Sequence, residues 1–532
     1  PTISWLKQHL NGKATRKGER GQISHEHQHG KYPSGKPFIM NEYCHAMGNS
    51  LGNISDYWEV IYANDLLSGG FIWDWIDQAM YKKPSDANSG FVYGGDFDDY
   101  PNDGNFCVNG IIGADLIPHP HYNEMRKVYQ PVYFKLIKTQ PFTIEIVNHN
   151  LAINTNEYEL SYQVMENGKV TYEKTLSPVN LAPQKRRQLL IEDLGFDENK
   201  ETFITFALKL KTTCDWADKN HVVAWEQFKI PNQIFEVIQE PAFEEIVLKE
   251  NINNYNISGE NFEATIDKSK GLISELTYNN ETIISDNINF NFWRALTDND
   301  EGWKVDKKMG VWKDEAKNFT INSIEANTTE KGEITISSDF VFNGTETVAR
   351  LEHTFYADGK IKFDVKINIP EEAPNVPRIG LQFEIHKSLS DIKWYGRGPH
   401  ENYFDRKTSA AIGVYTTTVN DWITPYVRPQ ENGNRCDIRW INFGNNEAGI
   451  QFSADSESPL SVSAWPYSQN MLENKNHNFE LEKQNKIVVN IDHKQMGVGG
   501  DNSWGQTVMK KYQIKPGNYS YSFVLQAINK HS

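Results

Sequence analysis

The stretch Lys36-Pro37-Phe38-Ile39-Met40-Asn41-Glu42-Tyr43-Cys44-His45-Ala46-Met47-Gly48-Asn49-Ser50 decides the fold. Phe38, Ile39 and Met40 form a compact apolar run after Gly35 and Pro37, which predicts a buried parallel strand. Glu42 and His45 follow at its C-terminal end, then Gly48, with Asn49 or Ser50 as the predicted N-cap of the next helix. Further on, Leu66-Leu67-Ser68-Gly69-Gly70-Phe71-Ile72-Trp73-Asp74-Trp75 repeats the pattern, an apolar strand that ends in acid and aromatic residues. Strand, helix, strand and loop in that order predict the end of a βα barrel. Such folds carry their reactive side chains at the C-terminal ends of the strands.

A complete (β/α)8 barrel takes about 250 residues, and only about 130 here have that character. Residues 1–130 therefore read as the last quarter or third of a barrel: strand, helix, strand, a long loop from Gln78 to Pro118, and a final helix near Pro120 that turns Met125 and Val128 inward. Before them lie a helix-like stretch, Ile3 to Leu10, and a polar segment from Asn11 to Lys36 with no room for earlier barrel strands. The chain thus reads as beginning inside a domain.

After Gln130-Pro131 the hydrophobic period changes to two. Phe142, Ile144 and Ile146 alternate with polar neighbours, as do Tyr158, Leu160, Tyr162 and Val164, then Ile204, Phe206, Leu208 and Leu210. Asn167-Gly168 is a hairpin signal. Residues 131–232 are predicted as an immunoglobulin-like β-sandwich, 233–248 as a linker, and 249–532 as a large two-sheet β-sandwich, in which Ile361, Phe363, Val365, Ile367 and Ile369 alternate. The predicted fold class is multidomain α+β: the C-terminal part of a (β/α)8 barrel, then two β-sandwich domains of unequal size.

The 532 residues can fill several cores. No run approaches the ~20 apolar residues of a membrane span. A formal charge of −16 argues against nucleic acid, whose binding relies on clustered Lys and Arg. Cys44, Cys107, Cys214 and Cys436 lie far apart, without the spacing of a disulfide scaffold or a thiolate zinc site.

The segments Asn41 to Ser50 and Gly69 to Gln78 resemble the long bacterial β-galactosidases of glycoside hydrolase family 2. The resemblance continues through Gly94-Gly95-Asp96-Phe97, Pro101-Asn102-Asp103, Asn105 to Gly110 and Pro118-His119-Pro120. It resumes at Gly398 to Tyr403, Thr424 to Val427, Glu431-Asn432-Gly433 and Met496 to Trp504. It implies a retaining hydrolase of terminal β-galactosides such as lactose, with Glu42 as the catalytic nucleophile. Read from its position alone, Glu42 could equally be a barrel-end carboxylate paired with arginine. The acid/base Glu of the family stands on an earlier barrel strand, absent here, so the isolated chain is expected to be inactive.

The resemblance further assigns substrate contact to His45 and the surface under the leaving group to Trp504. It places sodium on the Phe106 carbonyl and the Asn109 side chain, and a secondary magnesium contact on Asn102. Most Mg2+ and Na+ ligands of the family lie upstream of this chain. Asn109 belongs to the substrate site as well as the metal site. Trp73, ending the second strand, can pack on the apolar face of galactose or serve as core; Trp75 is read as core. Asp298-Asn299-Asp300 and Glu401-Asn402 are read as turns and domain contacts, and His25-Glu26-His27-Gln28-His29 as a solvated loop. The resemblance also implies a homo-oligomer, in the cytoplasm or the periplasm. Two alternatives stay open: a β-glucuronidase or β-mannosidase relative, and a non-catalytic carbohydrate-binding or interaction module.

Overall fold

The computed structural model describes residues 2–10, 37–82, 89–192, 194–231, 245–286, 288–330, 332–445, 448–455 and 458–529. The His25 to His29 run and residues 233–244 of the predicted linker lie outside them. Strands dominate, so α+β is too loose a label.

Helix α1 (Ile3–Leu10), strand β1 (Phe38–Tyr43), helix α2 (Ile54–Tyr62), strand β2 (Leu67–Ile72) and helix α3 (Pro120–Val128) share one core. β1 and β2 run parallel, Phe38 opposite Leu67 and Tyr43 opposite Ile72. Met40, Tyr43 and Leu67 pack on Ile54, Tyr57 and Ile61 of α2 and on Met125 and Val128 of α3. Pro120 at the first turn of α3 suits a position whose amide has no helical acceptor.

Three expectations need correction. β1 is buried on one face only: Ile39 is 52% exposed, and Asn41 and Glu42 are exposed as well, because this sheet has two strands among the described residues and nothing covers its second face. Trp75 is not core but 53% exposed, because β2 ends at Ile72 and both Trp73 and Trp75 lie in the exposed segment beyond the strand. Asn49 and Ser50 do not cap α2, which starts at Ile54 after Asn53 in the left-handed region. Instead Asn49 Nδ2 donates to the Glu431 carbonyl at 2.7 Å, and the Ser50 carbonyl accepts from Arg406.

A three-stranded sheet (Val132–Thr139, Phe142–Asn148, Arg186–Leu190) faces a four-stranded one in the order Val222–Lys229, Thr202–Leu210, Tyr158–Glu166, Lys169–Thr175. Their inward residues form one core, with Phe134 and Phe142 of the first stacked on Phe206 of the second. Asn167 and Gly168 both have positive φ, the geometry that a two-residue hairpin turn needs.

Met80–Lys82 and Gly90–Val92 pair as a small antiparallel sheet, and the other strands form sheets of ten and nine around a single large core. In the nine-stranded sheet Ile361–Ile369 is followed by Gly517–Asn529 and then Ala448–Ala454. His353 lies fully buried in this core between Phe355 and Phe363. Burial lowers its pKa from 6.5 to about 3. As pH falls, the unfolded chain protonates here first, so acid favours unfolding. His353→Leu is expected to remove about 2 kcal/mol of the stability lost between pH ~6.5 and ~5. Urea midpoints at the two pH values read this out, and an unchanged slope would refute it.

The large domain reaches back to the barrel segment through the glycine-rich loop from Met496 to Trp504. Gly52 N–H donates to the Gly499 carbonyl at 2.8 Å, and Asn53 Nδ2 to Asp501 at 3.2 Å, where the Tyr57 hydroxyl also bonds. A Cβ on Gly500 would stand 2.3 Å from the Gly52 carbonyl oxygen, so only glycine fits this crossing. Gly500→Ala is expected to cost about 1–3 kcal/mol by forcing the two backbones apart. Its melting curve should fall below that of the parent chain.

Candidate active site

The site lies where β1 and β2 end. Trp73 N–H donates to the Tyr43 carbonyl at 3.3 Å, and Ala46 N–H to the Trp73 carbonyl at 2.7 Å. Asp74 N–H donates to the Asn109 carbonyl at 2.7 Å, and Ile111 N–H returns to Asp74 at 3.1 Å. Three segments are thereby tied into one floor. Glu42, Trp73 and the 105–111 segment cannot drift apart without breaking backbone hydrogen bonds.

Glu42 stands exposed at this floor, its carboxylate in no hydrogen bond or ion pair with the described residues. Trp73, 45% exposed, offers open indole surface. Among the described residues no arginine pairs with Glu42, and Trp73 is not enclosed.

His45 is the hub. It is buried, with Nδ1 2.7 Å from the Ser503 hydroxyl and Nε2 3.4 Å from Asn109 Nδ2. Its ring meets Trp504 edge-on at 5.1 Å and Phe106 at 6.3 Å. Burial lowers its pKa to about 4 against the opposing pull of Asp298 and Asp74, which keeps the imidazole neutral near pH 7. The structure thus gathers His45, Phe106, Asn109 and Trp504 from segments far apart in sequence.

Asn109 Oδ1 is buried and accepts no hydrogen bond from the described residues. An orphaned oxygen is costly unless something fills its coordination, and a hard cation would suit it. Asn102 is different. Its amide closes its own turn, Oδ1 accepting from Gly104 N–H at 3.0 Å and Nδ2 donating to the Asp99 carbonyl at 2.8 Å. Among the described residues no group of three or more His, Cys, Asp or Glu could hold a metal ion.

Sequence reasoning passed over the layer behind this site. Asp298 accepts from Asn105 Nδ2 at 2.7 Å, Arg428 at 2.6 Å and Gln430 at 2.8 Å, and the Ser503 hydroxyl donates to Asn299 at 2.7 Å. The Asp298-Asn299-Asp300 turn is a helix start with a capping box on Thr297, as well as a domain contact. The only sequence signal for Ser503 was its place beside Trp504.

Three family models match in chain order. The family 2 glycosyl hydrolase TIM barrel domain covers residues 9–134, β-galactosidase domain 4 covers 144–231, and the β-galactosidase small chain covers 258–525. The chain is 35% identical over 497 residues to a β-galactosidase of Priestia megaterium, covering 93% of this chain and 48% of that protein. It is 33% identical over 516 residues to one of Pseudoalteromonas haloplanktis, covering 92% and 48%. A third, from Klebsiella pneumoniae, is 30% identical over 510 residues, covering 93% and 48%. The chain therefore spans about half the length of the curated relatives it matches. A barrel end bearing a carboxylate, followed by β-sandwich domains, is the make-up of a family 2 glycoside hydrolase. Within that class, the chain belongs to the β-galactosidase family.

Proposed function

We propose that the chain is the nucleophile-bearing part of a retaining β-galactosidase. The observation that carries this reading is the uncommitted Glu42 carboxylate on a floor shared with Trp73 and Asn109, beside the buried His45. In the proposed reaction Glu42 attacks the anomeric carbon of a terminal β-galactoside, and the bond to the leaving oxygen breaks. Water then displaces Glu42 from the galactosyl carbon, so configuration is retained. Trp73 packs on the galactose ring, His45 bonds a sugar hydroxyl, and Trp504 lies under the leaving group. The contacts around His45 and the family pattern support these roles.

A retaining pair needs a second carboxyl group about 5–5.5 Å from the first, to protonate the leaving group and then activate water. Asn41-Glu42-Tyr43 is the one Asn-Glu-Tyr that closes a described strand. In this proposal the acid/base comes from sequence outside the chain. Asn109 Oδ1 and the Phe106 carbonyl would hold a sodium ion, whose charge would help orient a sugar hydroxyl. Asn102 fits magnesium poorly, since its amide is already engaged, and no step is assigned to that metal. Arg428, the cation bonded behind the site, is paired with Asp298 and with Glu301 at 3.0 Å. That favours a neutral sugar over a uronate. A homo-oligomer is part of the proposal; and no helix among the described residues is long and apolar enough to cross a membrane.

The test is hydrolysis of nitrophenyl β-galactoside. The chain alone is expected to show no turnover above buffer. Combined with the N-terminal half of the Priestia megaterium enzyme it should show turnover, with a β-configured first product by NMR. Turnover by the chain alone would overturn the missing acid/base. Tight galactose binding by the chain, with no activity in the combination, would favour a binding module.

A further inference from the structure

The hydrogen bonds behind His45 have only one consistent direction. Asn299 Nδ2 donates to the Val498 carbonyl at 2.9 Å, which settles the ends of that amide. Its Oδ1 therefore faces Ser503, whose hydroxyl donates to it at 2.7 Å. A hydroxyl has a single proton. With that proton given to Asn299, the Ser503 oxygen can only accept from His45 Nδ1, 2.7 Å away. The proton of His45 is thus on Nδ1, and a lone pair at Nε2 faces Asn109. Asn109 turns Nδ2, its donor end, to that lone pair at 3.4 Å. Its Oδ1 points away, buried and without a hydrogen-bond partner among the described residues.

We infer that Asn299 and Ser503 are positioning residues: through the tautomer of His45 they hold the Asn109 amide with its oxygen, not its nitrogen, toward a hard monovalent cation. The inference rests on the reading of Asn109 as a cation ligand given above. With the proton on Nε2 instead, Asn109 would have to turn its oxygen to His45 and present an NH2 group to the cation, which would repel it. Asn299 and Ser503 belong to the large domain, while His45 and Asn109 belong to the barrel segment. Docking of the glycine-rich loop therefore sets the donor atom, beyond supplying Trp504.

The first measurement uses the full chain alone, 15N-labelled in its histidine rings. His45 should show a protonated Nδ1 and a bare Nε2. Ser503→Ala should shift it toward the Nε2–H form, and Ser503→Thr, which keeps the hydroxyl, should retain the parent pattern. The second uses the enzyme reconstituted with the Priestia megaterium half, at constant ionic strength with sodium chloride as the probe. Ser503→Ala should raise the sodium concentration for half-maximal hydrolysis about tenfold, the scale of such supporting contacts, and Ser503→Thr should restore it. A bare Nδ1 in the parent chain would overturn the inference, as would a Ser503→Ala variant with unchanged tautomer and sodium response. No galactosidase activity in the reconstituted parent would count against the functional reading instead, and the tautomer would still decide the relay.

Discussion

Replacing Glu42 by Gln is expected to cut galactoside turnover by the reconstituted enzyme on the order of 10,000-fold or more, the scale of losing a catalytic nucleophile. The amide has the same shape but cannot form the glycosyl bond. Glu42 is exposed and its carboxylate holds nothing else in place, so the melting curve should not move. That separates a lost nucleophile from a damaged fold. A further readout follows from the mechanism. In Glu42→Ala, added azide can attack the galactosyl carbon from the vacated side, giving α-galactosyl azide and recovering part of the rate. Glu42→Gln with near-parental turnover would end the proposed role of this residue.

The second large effect is on stability. Arg294 and Asp300 form a two-pronged pair at 2.9 and 2.8 Å, both side chains fully buried. The same guanidinium donates to the Met496 carbonyl at 2.6 Å and the Gly497 carbonyl at 2.9 Å, where the glycine-rich loop begins. Arg294→Met would strand a buried carboxylate and two carbonyls. Breaking one side of such a pair costs about 3–5 kcal/mol. Urea unfolding should show that loss, and kcat/KM of the reconstituted enzyme should fall too, because the loop carries Ser503 and Trp504. Lysine cannot reproduce the forked geometry, so Arg294→Lys should recover little. Arg294→Met combined with Asp300→Leu should recover much of the stability, since no buried charge is left unpaired. A single variant as stable as the parent chain would show that the pair is not holding the loop.

Much of the candidate site was legible because it sits in short, dense segments. Asn41 to Ser50 and Gly69 to Gln78 name both strand ends, and Asn105 to Gly110 supplies Phe106 and Asn109. Period-two alternation exposed the sandwich strands, because each buries one face; all five residues from Ile361 to Ile369 that were read as inward are buried. The same reasoning failed at Ile39 and Trp75, where an apolar residue was equated with a buried one. Burial depends on which neighbouring strands are present, and that is not written in the strand itself. It failed again at Asn49, whose side chain serves a tertiary contact with Glu431 rather than the helix beside it. Ser503 and Asn299 were illegible for a similar reason. Their role depends on one hydroxyl proton with a single place to go, which emerges only when segments 458 positions apart meet.

The strand Gly517–Asn529 lies between Ile361–Ile369 and Ala448–Ala454, so the nine-stranded sheet is joined by the last strand described in the chain. A ribosome delivers that strand after everything it unites. Until then the two groups of strands end in bare edges, and edges invite pairing with other chains. The nascent polypeptide is thus most vulnerable just before synthesis reaches this strand, and a premature stop only slightly upstream should yield insoluble material rather than a slightly shortened folded chain.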